Sequence, residues 1–131
     1  MAFSQHPIPH APVSWGELID KITILEIKCA RLASPAAIAN ATKELTLLRA
    51  IAEPVLEETQ ELTRRLKKLN ESLWEIEDHI RDKEAAKQFD TDFITLARAV
   101  YQTNDQRGAL KKQINLLLKS ELIEEKGYKP Y

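Results

Sequence analysis

From Leu18 through Ile22, Leu25, Cys29 and Leu32, apolar residues recur at alternating four- and three-residue steps. That spacing lines one side of an α-helix for a neighbouring helix. The preceding Ser14-Trp15-Gly16-Glu17 fits the S-x-x-E capping box, so a helix is predicted over residues 14–33. Ile24 and Ile27 lie off the main seam, in a row with Asp20 and Arg31. A second apolar face means that this helix is covered on two sides, or that one side awaits another chain.

A longer stripe follows. Ser34-Pro35 has the serine and proline of a helix start, and Ile38, Ala41, Leu45, Leu48, Ala52, Val55, Thr59, Leu62, Leu66, Leu69, Leu73, Ile76 and Ile80 then alternate by three and four without a skip. The stripe predicts a long helix over 35–88, kinked near Pro54 or divided there into two nearly coaxial helices, because the ring removes an i,i−4 bond and crowds the preceding turn. Unbroken, it would span about 80 Å at ~1.5 Å per residue, too long for a compact domain unless the kink folds it or a second subunit shares it. Asp90 or Thr91 can cap a third helix over 92–119, apolar at both ends but polar through "YQTNDQRGAL" and weakened by Gly108. Residues 1–13 carry three of the prolines and read as an extended arm, and 120–131 read as a tail stopped by Gly127 and Pro130. The pattern predicts one all-α domain of helical hairpins on a long central helix, coiled-coil-like and without a sheet.

Composition narrows the function. With 19 Lys+Arg against 20 Asp+Glu, no global field favours nucleic acid or an anionic membrane surface. No run reaches the ~18 apolar residues of a membrane helix, and the start lacks a basic, then apolar, export signal, so a soluble cytoplasmic protein is expected. Cys29 has no disulfide partner in the chain and lies on an apolar stripe, where an inert thiol is expected. His6 and His10 are separated by Pro7 and Pro9, with no carboxylate or thiol near them to complete a metal site.

An antiparallel return of the last helix along the central one sets Asn104 and Arg107 opposite Leu73 to Ile76. Trp74, Glu75, Asp78 and Arg81 would then share a polar constellation with Tyr101, Asn104, Asp105, Arg107 and Lys111. Its structural reading is an ion-pair network fixing helix register. Its chemical reading uses two E-x-x-D pairs, Glu17/Asp20 and Glu75/Asp78, as ligands for Mg²⁺, with Arg81, Arg107 or Lys111 holding a phosphate. That spacing is loosely similar to the acidic pairs of all-helical nucleotide pyrophosphohydrolases. No Gly-rich phosphate loop, Ser-His-Asp set or Cys/His cluster supplies a nucleophile, and catalytic residues are therefore not assigned.

"GELIDKITILEIK", "LWEIEDHIR", "FITLARAVYQTNDQR" and "EEKGYKPY" resemble the signatures of an uncharacterised family of small bacterial proteins, a domain of unknown function. The resemblance covers nearly the whole chain and implies no catalytic residues and no cofactor. It places Glu17, Asp20, Lys21, Trp74, Glu77, Asp78, Arg81, Asn104, Asp105 and Arg107 within signature segments, and it implies an association with glycosyltransferases and surface polysaccharides. The function expected is a non-enzymatic helical interaction or assembly module, accessory to cell-envelope sugar metabolism. The alternative is a Mg²⁺-dependent enzyme or binder of a nucleotide or phosphorylated small molecule. A homodimer is expected, because helix one and Trp74 offer more apolar surface than one hairpin covers, and a separate protein partner is the other candidate.

Overall fold

The computed structural model describes residues 5–131, so the first residues of the expected arm, 1–4, lie outside the described residues. Four α-helices follow in order, α1 (Trp15–Arg31), α2 (Pro35–Ala52), α3 (Gln60–Ala85) and α4 (Thr91–Leu117), and no strand occurs among the described residues. The protein is all-α.

Local chemistry explains the helix starts. The Ser14 side chain accepts from the Glu17 amide at 3.2 Å, Ser34 does the same for Ala37 with Pro35 in the first turn, and Asp90 accepts from Phe93 at 2.9 Å. Each serves an amide that the helix itself leaves without a partner. The ends of α3 and α4 are made differently. Lys87 and Lys119 take positive φ, while Gln88 donates to the Lys83 carbonyl and Ser120 to that of Asn115, closing both helices with a left-handed cap usually given to glycine. The second cap ends α4 at Leu117, before the expected 119, and 118–131 form no helix.

Over 35–88 the single kinked helix is corrected to the other expected form, two helices. Around Pro54 the chain forms a 3₁₀ turn, Glu53–Val55, followed by irregular turns to Thr59. Proline removes the amide that would continue the ladder, and the chain turns irregularly as far as Thr59, whose amide and hydroxyl both donate to the Val55 carbonyl, at 3.1 and 2.7 Å, before α3 begins. α2 and α3 do not pack on each other; both pack on α1, which also meets α4. Glu26 of α1 shows the arrangement, since Arg49 of α2 and Lys67 of α3 both reach its carboxylate.

The core therefore surrounds α1. Ile19, Ile22 and Leu25 are buried with Ala41, Leu45 and Ala52 from α2, Leu66 from α3 and Leu110 and Ile114 from α4. At about 1.5–3 kcal/mol per fully buried large aliphatic side chain, this cluster is the main source of cohesion. The second face of α1 is covered within the chain. Ile27 is buried, Ile24 and Ile27 line a cleft with Leu73 and Trp74, and Arg31 reaches Glu71 and Glu75 of α3 at 3.7 and 3.5 Å. The apolar surface that motivated the expected dimer thus has an internal partner. Cys29 is half-buried, its Sγ 3.5 Å from the Thr42 hydroxyl across the α1/α2 hairpin.

Candidate functional site

The polar feature that organises the bundle is Asp20. It sits on the face of α1 where α3 and α4 meet, 1% exposed. Asn70 of α3 donates to its Oδ1 at 2.9 Å, and Arg107 of α4 grips the carboxylate with a fork, Nε to Oδ1 at 2.9 Å and Nη2 to Oδ2. Such paired contacts suit guanidinium geometry and are stronger than single neutral hydrogen bonds. Asn70 also donates to Thr23, whose hydroxyl donates to the Asp20 carbonyl. The hydrogen bond to Asp20, outweighing the cost of burial, raises the Arg107 pKa further and keeps the guanidinium charged.

One turn along α4, Lys111 extends the network to the tail. Its Nζ donates 2.7 Å to Glu17 and 2.9 Å to Glu124, and lies 4.0 Å from Asp20. Burial alone would depress the Lys111 pKa, but Glu17 and Glu124 hold it above its ordinary value. Glu124, paired with Lys126 and then with Lys111, falls from 4.5 to about 2. The helix start docks alongside: the Gly16 amide donates 2.7 Å to the Asn115 side chain, and the Trp15 amide 3.3 Å to Ser120.

From Ser120 the tail runs back over α4. Tyr131 donates 2.7 Å to Asp105 and stands edge-on to Tyr101, ring centroids 4.8 Å apart. Between tail and helix lies a cleft of about 580 Å³ whose walls include Arg107, Lys111, Lys112, Glu124, Lys129 and Tyr131. A second cleft, about 390 Å³, shares Asn104 and Arg107 with the first and is lined besides by Ile24, Ile27, Leu73, Trp74, Glu77 and Asp78.

The constellation expected from sequence is therefore divided. Asn104 and Arg107 do come beside Leu73 and Trp74, and Asp78 lines that cleft. Asp105 and Lys111 belong to the tail-covered cleft instead, while Tyr101 is exposed against Tyr131. Glu75 is exposed and paired with Arg31, and Arg81 is exposed and 3.5 Å from Glu77. The Mg²⁺ quartet is corrected too. Glu17 and Asp20 face Lys111 and Arg107, whereas Glu75 and Asp78 lie on the exposed side of α3, and no three His, Cys, Asp or Glu side chains converge as metal ligands among the described residues. Asn70, Thr23, Asn115 and Glu124 were not singled out by sequence. Only the two asparagines left a trace, as amides inside otherwise apolar or basic stretches.

The tail contact has a pH signature. Because folding depresses the Glu124 pKa, its ion pairs stabilise the docked tail above pH 4.5 and lose that contribution as pH falls toward about 2. Proteolytic nicking of the tail is expected to accelerate across that interval. The variant E124Q is expected to flatten the dependence, and an unchanged profile in that variant would count against the pairing.

A family model described as a family of unknown function, DUF6165, matches residues 10–131, and the chain belongs to that family. Neither a curated protein nor a solved structure matches it. No helix among the described residues is long and apolar enough to cross a membrane.

Proposed function

We propose that the protein is a non-enzymatic helical interaction module, serving cell-envelope sugar metabolism as an accessory and not as a catalyst. The cell-envelope part of this reading rests on the resemblance of the signature segments alone, and the observation that carries the interaction module is a division of labour between polar and apolar groups. Every buried polar side-chain atom among the described residues has a hydrogen-bond partner inside the chain, whereas Leu47, Ile51, Leu116 and Leu117 stand exposed. A catalytic or ligand site keeps polar groups aimed at an absent partner; an interaction surface keeps apolar ones.

The same observation weighs against the phosphorylated-ligand alternative. Arg107 and Lys111, which would hold phosphate, are engaged by Asp20, Glu17 and Glu124, and Lys126 is engaged by Glu124. The walls of the tail-covered cleft carry five cations, Arg107, Lys111, Lys112, Lys126 and Lys129, against three carboxylates, Asp105, Glu124 and Glu125, and the charge comes to balance with Asp20 and Glu17, which Arg107 and Lys111 hold. A thermal-shift screen of nucleotides, nucleotide-sugars and inorganic phosphate, with and without Mg²⁺, is expected to give no saturable rise in melting temperature. A saturable rise lost in K111M would replace this reading by the ligand-binding one.

A further inference from the structure

Ahead of α1 the chain carries a segment that its own fold does not use. His6-Pro7-Ile8-Pro9-His10-Ala11-Pro12-Val13 leads into Ser14, and every residue from Gln5 to Val13 is exposed, Ile8 at 58% and Val13 at 52%. Prolines at 7, 9 and 12 hold such an arm extended and exclude helix. Pro9-His10-Ala11-Pro12 has the P-x-x-P spacing that aromatic-lined grooves take up, because a chain of this kind arrives already ordered. The same molecule has an aromatic-lined groove. In the 390 Å³ cleft, Ile24, Ile27 and Leu73 supply apolar wall, Trp74 is half-buried, and Glu77 and Asp78 make one end acidic. Among the described residues the Trp74 indole N–H has no hydrogen-bond partner and Asp78 no ion pair.

We propose that the proline arm of one copy of the chain seats in the Trp74 cleft of a second copy, two reciprocal exchanges closing a dimer. The two surfaces match in length. Along α3 the cleft runs from Asn70 to Asp78, about 12 Å at ~1.5 Å per residue, and Pro9 to Val13 covers about 12 Å at the ~3.1 Å per residue of a polyproline chain. They also match in chemistry. Proline rings suit the indole face and the aliphatic wall, the indole N–H can donate to an arm carbonyl, and the His10 imidazole can donate to Asp78. Residues 5–13 contain no Asp or Glu, so the acidic end of the cleft repels nothing in them. The arm does not serve its own cleft. Ser14, buried and extended at φ −72° and ψ 155°, starts α1, and Ile24 lies ten residues further on, about 15 Å along the helix, while the arm leaves in the opposite sense. A reciprocal exchange satisfies two-fold symmetry, each arm meeting the other copy's cleft.

The exchange rests on the interaction-module reading and supplies its partner. Sedimentation equilibrium of the full chain across the micromolar range is expected to show monomer passing to dimer. In a Trp15→Phe variant, where Trp74 is the one remaining indole, emission is expected to move to the blue over the same range. Pro9→Ala with Pro12→Ala is expected to weaken association about tenfold and to leave helicity by circular dichroism unchanged, both side chains being exposed. Trp74→Ala removes the platform and is expected to weaken association about a hundredfold. Asp78→Lys, at an exposed carboxylate outside the ion pairs of the fold, is the second cleft variant should Trp74→Ala unfold, and a loss of about tenfold is expected. The decisive sample is a mixture. The arm variant keeps its cleft and the cleft variant keeps its arm, so the two are expected to associate with each other at concentrations where each alone is monomeric. A parent protein monomeric throughout, or a dimer indifferent to arm and cleft changes, would overturn the exchange. A monomeric parent whose Trp74 emission moves to the red in the arm variant would put the arm in its own cleft, and overturns it equally. Each of these outcomes leaves the module reading standing, since that reading fails on the ligand screen.

Discussion

Replacing Arg107 with alanine is expected to cost about 4 kcal/mol of folding stability, read as a lowered denaturation midpoint, the largest effect of any single polar substitution in the bundle. The guanidinium supplies two of the bonds to a carboxylate that is 1% exposed, and without it Asp20 keeps only Asn70 and a lysine at 4.0 Å. Removing the other partner should cost less. In D20A the stranded group is Arg107, whose side chain is 26% exposed and can turn toward water, so about 3 kcal/mol is expected. Replacing both at once, Asp20→Leu with Arg107→Met, should recover most of the loss. Asn70 would still donate to Thr23, and Lys111 would still hold Glu17 and Glu124. A double variant as unstable as R107A would show that the pair does more than neutralise itself.

The second large effect is expected at Gly16. A Cβ there would stand 2.4 Å from the Lys111 carbonyl oxygen and 3.0 Å from Asn115 Oδ1, so Gly16→Ala must push α1 away from α4 and strain the amide bond to Asn115. Overpacking against backbone costs about 1–3 kcal/mol, while alanine returns up to about 1 kcal/mol of helix propensity. Crowding against a backbone atom is the larger of the two, and a net loss of about 2 kcal/mol is expected. Gly108, within α4, is the control. Its Cβ would find only the end of the Lys126 side chain, at 3.8 Å, so Gly108→Ala should stabilise by up to about 1 kcal/mol. Chemical denaturation of the two variants side by side separates close approach from propensity.

These residues also show what was legible in the sequence. The stripe from Ala41 to Leu69 named the core-facing side of α2 and α3 correctly, since Ala41, Leu45, Ala52 and Leu66 are buried and Leu48, Val55, Leu62 and Leu69 pack against them. It left open whether the two segments are one kinked helix or two. Ala52, Glu53 and Leu56 keep right-handed helical dihedrals through the bend, so the three-four rhythm survives although the rod does not. Of the two outcomes expected for α1, two covered sides or one side awaiting another chain, the packing gives the first, an expectation that used only the angular spread of its apolar residues. The helix ends were less legible, the left-handed caps at Lys87 and Lys119 lacking the glycine that signals them.

The polar constellation was read on one hairpin, α3 against α4, where numbering alone predicts neighbours. What it omitted came from further along the chain. Asp20 enters from α1 and Glu124 from the tail, and no periodicity places either beside Arg107 or Lys111. Glu75 and Arg81 were grouped with the site because they share a helix with Trp74, but they emerge on its solvent side. Sequence spacing resolves faces within a helix and pairs within a hairpin; it does not resolve which third element closes over them.

The docking of α1 also bears on how the molecule is made. The contacts that seat its first turn, Gly16 to Asn115 and Trp15 to Ser120, join residues 99 and 105 positions apart. During synthesis α1 leaves the ribosome first, can pair early with α2 through their short connection, and then waits for the last helix before its polar face is covered. Asp20 can meet Asn70 once α3 is made, but its charge stays uncompensated until Arg107 arrives. Closing so long a loop is entropically slow. The final step of folding is therefore expected to be the meeting of α1 with α4, and a ribosome stalled before α4 would hold a chain that is helical but not yet locked.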